Sequence, residues 1–154
     1  MKQNNPTPSQ FRIEDDVVME YFGNGGHVVV PHGVKDIFFD VFSYNYQITS
    51  LTIPGTISSV TIFAFQKCTG LLEAVLEEGV GKIEFNAFDQ CTALQKVVLP
   101  QSLQEIAMYA FRGCTNLTQI CFCGTEQQWK GINKHDGWDK DSCNYTVVFN
   151  YKQP

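Results

Sequence analysis

The sequence repeats itself every 23 residues through the middle of the chain. Several independent columns of similar residues share this register. One column contains Phe42, Phe65, Phe88 and Phe111, and another contains Ile37, Val60, Ile83 and Ile106. A fixed period of this length is typical of a stack of similar coils, each of which buries its apolar side against its neighbours. The sequence therefore predicts a solenoid.

Each repeat has the local chemistry of one coil. A short β-rich run, 96–99, is closed by Pro100, which has no N–H to donate to a strand ladder. A second extended run ends near Ile106, and an Ala-Phe step, a small loop and a Cys-Thr-x-Leu segment lead back to the next strand. We expect equivalent strands of successive coils to stack in parallel about 4.8 Å apart.

The repeat resembles a known family. Its pattern, L-x-x-[VI]-x-[LI]-P-x-x-[VL]-x-x-I-x-x-x-A-F-x-x-C-T-x-L, is similar to the BspA-type bacterial leucine-rich repeat and is clearest over 71–94 and 94–117. The resemblance implies a leucine-rich-repeat right-handed solenoid, mainly β with short irregular or helical turns and about four full coils. It also implies non-catalytic protein recognition, since similar proteins are often bacterial surface proteins involved in adhesion.

The flanks of the array predict a single domain with a cap at each end. Residues 1–8 are polar with two prolines and are expected to be disordered, and 9–26 resemble an N-terminal hairpin cap. Residues 27–122 form the repeats, and 123–154 form a cap that contains a helix and a strand. Thr125 and Gln128 match a capping box, which predicts a helix that starts after Thr125 and runs to about Ile132. Trp129 and Ile132 are predicted to cover the last coil.

Composition limits the function. The chain of 154 residues is 44% hydrophobic with a net charge of −5, so we expect a folded domain that does not bind nucleic acid. No apolar run is long enough to insert into a bilayer, and the N-terminus lacks the hydrophobic segment of a signal peptide. We expect a cytoplasmic protein if the chain is complete as written. If it is a fragment, the resemblance implies the cell surface or secretion.

The outward face of the parallel strands is the candidate binding surface for a protein or peptide. Side chains alternate along a strand, so residues flanking the inward Leu51 and Ile53 columns should face solvent. The predicted central row and its polar neighbours are Val29, Thr52, Val75, Val98, Cys121, Glu73, Lys96 and Gln119. An apolar row flanked by polar residues is typical of a recognition face. On this interpretation Val98→Glu should leave folding nearly intact.

A second apolar column allows self-association as an alternative function. It contains Phe39, Ile62, Phe85 and Met108. If exposed, it would favour a homo-oligomeric structural module. If Ile37 faces inward and side chains alternate along the strand, Phe38 faces outward and Phe39 faces inward. We favour this interpretation, in which the column belongs to the core.

The six cysteines raise a third alternative. Cys68, Cys91 and Cys114 follow the repeat and are predicted to be buried apolar side chains. Four residues outside that register, namely Cys121, Cys123, His135 and Cys143, have ligand types that suit zinc in a small metal-binding or thiol protein. Their spacing matches no common structural zinc site, so we expect no metal, no cofactor and two incidental thiols. No catalytic motif is present, and we predict that the protein is not an enzyme.

Overall fold

The computed structural model describes residues 9–153 as a solenoid of about six turns built from short strands. The predicted disordered segment, 1–8, lies outside the described residues. The strands and the helix are, in chain order, β1 (Phe11–Glu14), β2 (Val17–Tyr21), β3 (Gly26–Val29), β4 (Asp36–Ile37), β5 (Ile48–Ile53), β6 (Ser59–Val60), β7 (Glu73–Leu76), β8 (Lys82–Ile83), β9 (Lys96–Leu99), β10 (Glu105–Ile106), β11 (Gln119–Phe122), α1 (Glu126–Gly131), β12 (Asn133–Lys134) and β13 (Thr146–Val148).

Two ladders of parallel strands run along the solenoid. The longer strands form a six-stranded sheet in the order β13-β11-β9-β7-β5-β3, and the two-residue strands form a second sheet in the order β12-β10-β8-β6. Paired residues in the larger sheet follow the repeat, as in Leu51↔Ala74 and Ala74↔Val97. The predicted solenoid with its 23-residue period is therefore confirmed. It has more turns than the four full coils expected, because segments at both ends add rungs.

The last turn is a lengthened copy of the others. Strand β12 pairs with β10, and β13 pairs with β11 through Gln119↔Thr146. Gln119 and Thr146 are more than 23 positions apart in the sequence, because the chain between them contains α1. Thr125 caps α1, with Gln128 completing the capping box, so the predicted helix start is confirmed. The Trp129 ring packs against Phe122, with 5.4 Å between ring centroids, and covers the interior as predicted.

An antiparallel hairpin closes the first turn. Strands β1 and β2 pair with each other, and β2 also pairs in parallel with β4. The rings of Phe11 and Tyr21 lie 6.4 and 5.1 Å from that of Phe42, the first member of the phenylalanine column. The hairpin lies within the segment expected to form the N-terminal cap, and it packs against the end of the stacked core.

The repeat columns form the core. Phe42, Phe65, Phe88 and Phe111 are fully buried, and successive rings stack at 4.9, 5.3 and 5.2 Å. The repeat cysteines are buried beside them, as predicted, and each thiol donates to a backbone carbonyl at 3.1 to 3.2 Å. These bonds satisfy the weak thiol donors inside an apolar interior. Stacking of identical side chains at the strand spacing explains why the sequence preserves its register.

The returning loop of each coil uses left-handed backbone at two fixed positions. One set, at φ 56° to 61°, contains Asp40, Phe63, Asn86 and Tyr109, and the other, at φ 55° to 69°, contains Tyr44, Lys67, Gln90 and Gly113. Residues other than glycine adopt this conformation at a cost of about 1 kcal/mol each. The coil therefore accepts local strain in order to bring the chain back to the next strand.

Candidate recognition surface

The outward side of the six-stranded sheet carries a polar row at the positions given by strand alternation. It contains His27, Ser50, Glu73, Lys96 and Gln119, which lie in register on neighbouring strands. The Nδ1 atom of His27 lies 2.6 Å from the hydroxyl of Ser50. One strand further, the ammonium of Lys96 lies 3.4 Å from the carboxylate of Glu73. These pairs orient the polar row without enclosing a cavity.

The central row beside it is only partly accessible. Val29 is 43% exposed, and Thr52 and Val75 are half-buried. Val98 and Cys121 are completely buried. The expectation that all five side chains face solvent is therefore wrong for these last two residues. The outward face is divided into an open half on β3, β5 and β7 and a covered half on β9 and β11.

The covering element is a short segment that follows β13, residues 150–153. At Asn150 the backbone has φ 52°, and the chain leaves the strand direction. The amide of Tyr151 donates to the carbonyl of Phe122 at 3.0 Å, and the ammonium of Lys96 donates to the Tyr151 hydroxyl at 3.1 Å. The side-chain amide of Gln153 donates to the carbonyl of Leu76 at 2.7 Å. The segment therefore crosses from β11 over β9 to β7, above Val98 and Cys121.

The covered half differs electrostatically from the open half. The hydrogen bond with Tyr151 raises the pKa of Lys96, and the Lys96 ammonium also lies 5.2 Å from the centre of the tyrosine ring. Burial raises the pKa of the Cys121 thiol, and burial likewise raises that of Cys123. Both thiols are therefore held in the protonated form, which is the less reactive one.

The second apolar column is exposed. Phe39, Ile62, Phe85 and Met108 are 46%, 41%, 38% and 39% exposed, so the prediction that they belong to the core is wrong. Strand alternation does not extend to them, because the strands before them are two residues long and a turn begins at Phe39 and its equivalents. A cleft of about 480 Å³ opens at one end of this row, lined by Phe39, Asp40, Ser43, Tyr44, Ile62, Phe63 and Gln66.

The four residues of the metal alternative do not converge. Cys121 and Cys123 belong to the sheet face, and the amide of Cys143 donates to the carbonyl of Cys114 at 3.3 Å. His135 lies next to the second sheet, where its Nε2 is 2.9 Å from the carboxylate of Glu105. Over residues 9–153 no group of three or more His, Cys, Asp or Glu side chains is placed to hold a metal ion. The geometry gives no support to zinc binding by this set.

The regularity of these rows agrees with a comparison against protein families. The BspA type leucine rich repeat region matches residues 28–134 with six copies of the repeat. The chain belongs to this family. Its repeats supply both the sheet face and the exposed apolar row. The segment that covers Val98 and Cys121 lies beyond the matched residues.

Solved bacterial structures share this leucine-rich-repeat fold. A leucine-rich repeat protein from Eubacterium ventriosum has a TM-score of 0.66 at 23% identity over 76% of this chain and 30% of its own. A leucine rich cell surface protein from Faecalibacterium prausnitzii has a TM-score of 0.62 at 20% identity, covering 82% of this chain and 41% of its own.

A third leucine-rich repeat protein, from Bacteroides capillosus, has a TM-score of 0.54 at 21% identity over 90% of this chain and 91% of its own. The chain thus spans less than half the length of the first two proteins. At these identities the likeness is one of fold. No curated protein matches the sequence significantly. Among residues 9–153, no helix is both long and apolar enough to cross a bilayer.

The sequence contains one signal that could have indicated the covering segment of this leucine-rich-repeat protein. Tyr151 directly follows the strand that the sequence predicts for the C-terminal cap, 145–150, and Gln153 lies two residues further on. An aromatic and an amide side chain near the end of an array are suited to covering a sheet. What no periodicity reveals is the direction the chain takes after Asn150, because that turn has no counterpart in the earlier coils.

Proposed function

We propose that the protein is a non-catalytic recognition module that binds a protein or peptide through the open half of its sheet face. One observation carries the proposal. The same sheet face already holds an extended segment, residues 150–153, on its other half, through two backbone and two side-chain hydrogen bonds. A surface that binds an extended chain in one half has the chemistry to bind another beside it.

The composition of the open half supports a peptide or protein ligand. The exposed Val29 and the half-buried Thr52 and Val75 provide apolar contact area, and His27, Ser50 and Glu73 provide hydrogen-bonding groups. Three strands span only about 10 Å between the outer two, which is less than a standard protein interface requires. A short peptide segment therefore fits this surface better than a large folded partner does.

The cellular context that we propose is bacterial adhesion or partner binding at the cell surface. Membership of the BspA-type family and the fold shared with the Faecalibacterium prausnitzii cell surface protein support this proposal. Within a longer surface protein, a short array of this kind would add its small binding area to those of other modules.

A selection of random peptides against the purified protein tests the proposal. Val75→Lys places a charge in the open half and should abolish binding of the selected peptides. Ile62→Lys places the same charge in the exposed apolar row outside the sheet face, and should leave binding unchanged. Peptides that bind both variants equally well would show that recognition occurs elsewhere. Circular dichroism should first confirm that both variants are folded.

Self-association is a second candidate function, favoured by the exposed apolar row. Four neighbouring apolar side chains, each more than a third exposed, form a continuous patch along the array, Phe39, Ile62, Phe85 and Met108. Patches of this kind often mark contact sites. Light scattering at micromolar and near-millimolar concentrations should detect a dimer, and Phe85→Glu should return it to a monomer whereas Val29→Glu should not. A monomer at both concentrations would exclude this function.

A further inference from the structure

The last carbonyl of a strand in the six-stranded sheet has a regular hydrogen-bond donor in the next coil. The backbone N–H that follows each strand donates to the last carbonyl of the preceding strand. Glu77 donates to Ile53 at 2.9 Å, and Cys123 donates to Leu99 at 2.9 Å. These bonds extend the ladder by one step beyond the strands themselves. The equivalent donors in the other two coils would be residues 54 and 100, and both are proline.

Proline has no N–H, so the ladder bond is missing at both positions. After β9, Pro100 therefore leaves the carbonyl of Leu76 without its regular donor. The side-chain amide of Gln153 replaces it, at 2.7 Å from the Leu76 oxygen. The covering segment is thus held where the repeat sequence has created an acceptor. Supplying a donor to such a carbonyl is stabilising, because a polar group at a buried sheet end is costly to leave unpaired.

The open half also has a proline directly after a strand, two coils before Pro100. Pro54 follows β5 and, by the same geometry, withholds the ladder donor from the carbonyl of Val30. The neighbouring Val29 is 43% exposed on the same side of the sheet. The carboxylate of Glu77, 3.6 Å from the imidazole Nε2 of His32, lies at this strand end too. Val30 is completely buried, as Leu76 is, and the side-chain amide of Gln153 reaches the Leu76 oxygen nevertheless. Carbonyl and carboxylate oxygens accept hydrogen bonds, so they favour a donor group over an anion.

We propose that the open half binds an extended peptide that crosses the strands and donates a carboxamide side chain, from glutamine or asparagine, to the carbonyl oxygen of Val30. This rests on the proposed function and specifies its ligand. The mode is that of residues 150–153, in which an aromatic residue two positions before the amide packs across the polar row. In the open half, the His27 and Ser50 pair offers hydrogen-bond partners for an aromatic hydroxyl, as Lys96 does for Tyr151.

The probe for the test is a fluorescent peptide of the sequence Phe-Asn-Tyr-Lys-Gln-Pro, which copies the covering segment. It should bind the full chain with a dissociation constant below about 1 mM. Pro54→Ala restores the N–H that the ladder lacks, pairs the Val30 carbonyl internally, and should weaken peptide binding about tenfold. The added backbone hydrogen bond offsets the loss of the proline ring, which restricts the unfolded chain, so the variant should remain folded, as circular dichroism would check.

Two further variants serve as controls. Pro31→Ala makes the same substitution after β3, which is the edge strand of the sheet, so it pairs no carbonyl of an earlier coil and should leave binding unchanged. Pro100→Ala alters the covered half and should also leave the affinity of the added peptide unchanged. A peptide with Glu in place of Gln tests the same contact without any change to the protein, and should bind about tenfold more weakly.

Several outcomes would overturn the inference. It fails if the probe does not bind at millimolar concentration, or if Pro54→Ala binds it as the parent does. It also fails if Pro100→Ala rather than Pro54→Ala weakens binding, which would mean that the probe displaces the chain's own segment. Selected peptides that need Val75 but are insensitive to Pro54→Ala would refute the carboxamide contact while leaving the recognition function intact.

Discussion

The carboxylate of Asp89 is completely buried and accepts two hydrogen bonds from the guanidinium of Arg112, which occupies the same position in the next coil. Nε of Arg112 lies 2.8 Å from one oxygen and its terminal nitrogen lies 2.9 Å from the other. From the preceding coil, the side-chain amide of Gln66 donates to the same carboxylate at 2.9 Å. These three residues are 23 apart, so one column of the repeat encloses a buried charge.

Arg112→Met should destabilise the protein by about 2 to 3 kcal/mol. The substitution leaves the Asp89 carboxylate buried with Gln66 as its remaining side-chain donor, and an unpaired buried charge is costly. The value is at the low end for such changes because Arg112 is about a third exposed. The double variant with Asp89→Leu should recover most of the loss. Urea denaturation measures both, and a double variant no more stable than the single one would contradict this account.

Phe88→Ala should cost about 3 to 5 kcal/mol in the free energy of unfolding. The ring is fully buried and stacks at 5.3 and 5.2 Å between Phe65 and Phe111, so its removal opens a cavity in the centre of the core. Phe39→Ala removes the same side chain from the exposed row and should cost less than about 1 kcal/mol. A similar loss in the two variants would show that the phenylalanine column is not the main core.

The protein should lose stability as the pH rises above about 9. Burial raises the pKa of Cys68 and Cys114 to about 12, and it raises the pKa of Cys91 well above the ordinary value of 9.0. Above pH 9 the unfolded chain releases these protons whereas the folded chain retains them. The stabilisation is therefore complete below pH 9 and is lost progressively towards pH 12, by up to about 1.4 kcal/mol per thiol and pH unit.

Thermal unfolding at a series of pH values, in reducing buffer, measures this dependence. Cys91→Ala removes one of the buried core thiols and should make the slope of stability against pH above 9 shallower, by up to about 1.4 kcal/mol per pH unit. The exposed lysines and tyrosines titrate alike in both proteins and cancel in the comparison. Equal slopes in the two proteins would mean that the thiols do not titrate differently on unfolding.

Val98→Glu should destabilise the protein and release the covering segment. The side chain is completely buried, so a carboxylate placed there must leave the interface or displace residues 150–153. Val29→Glu introduces the same charge into the same row at a position that is 43% exposed, and should change stability by less than about 0.5 kcal/mol. A larger loss of stability in Val98→Glu than in Val29→Glu would show that residues 150–153 cover Val98.

Alkylation of Cys121 provides a direct measurement of that release. The thiol is fully buried beneath the segment, so it should react slowly in the parent protein and in Val29→Glu, and faster in Val98→Glu. Mass spectrometry of the alkylated peptides would separate Cys121 from the core thiol of Cys91. If Cys121 reacted at the same rate in all three proteins, the segment would not protect this half of the face.

Individual residues show how far prediction from sequence extends. The positions of Phe65 and Cys68 in the core followed from register alone, because side chains that recur with the coil must point in the same direction in each coil. The helix start at Thr125 followed from capping chemistry, which is local. The prediction for Ile62 was wrong because alternation holds only within a strand, and the strand before it ends at Val60.

The solenoid, its period, its core columns and the strands of its outward face can all be derived from the repeat. These features depend on contacts between equivalent residues, so each coil repeats the same information. Which part of the outward face is accessible depends on the three-dimensional path of the chain after the last strand. The path of residues 150–153 depends on one left-handed turn at Asn150 and on hydrogen bonds to Lys96 and Leu76, residues far apart in the chain. Such non-repeating, long-range contacts have no periodic signature, although they determine where a partner can bind.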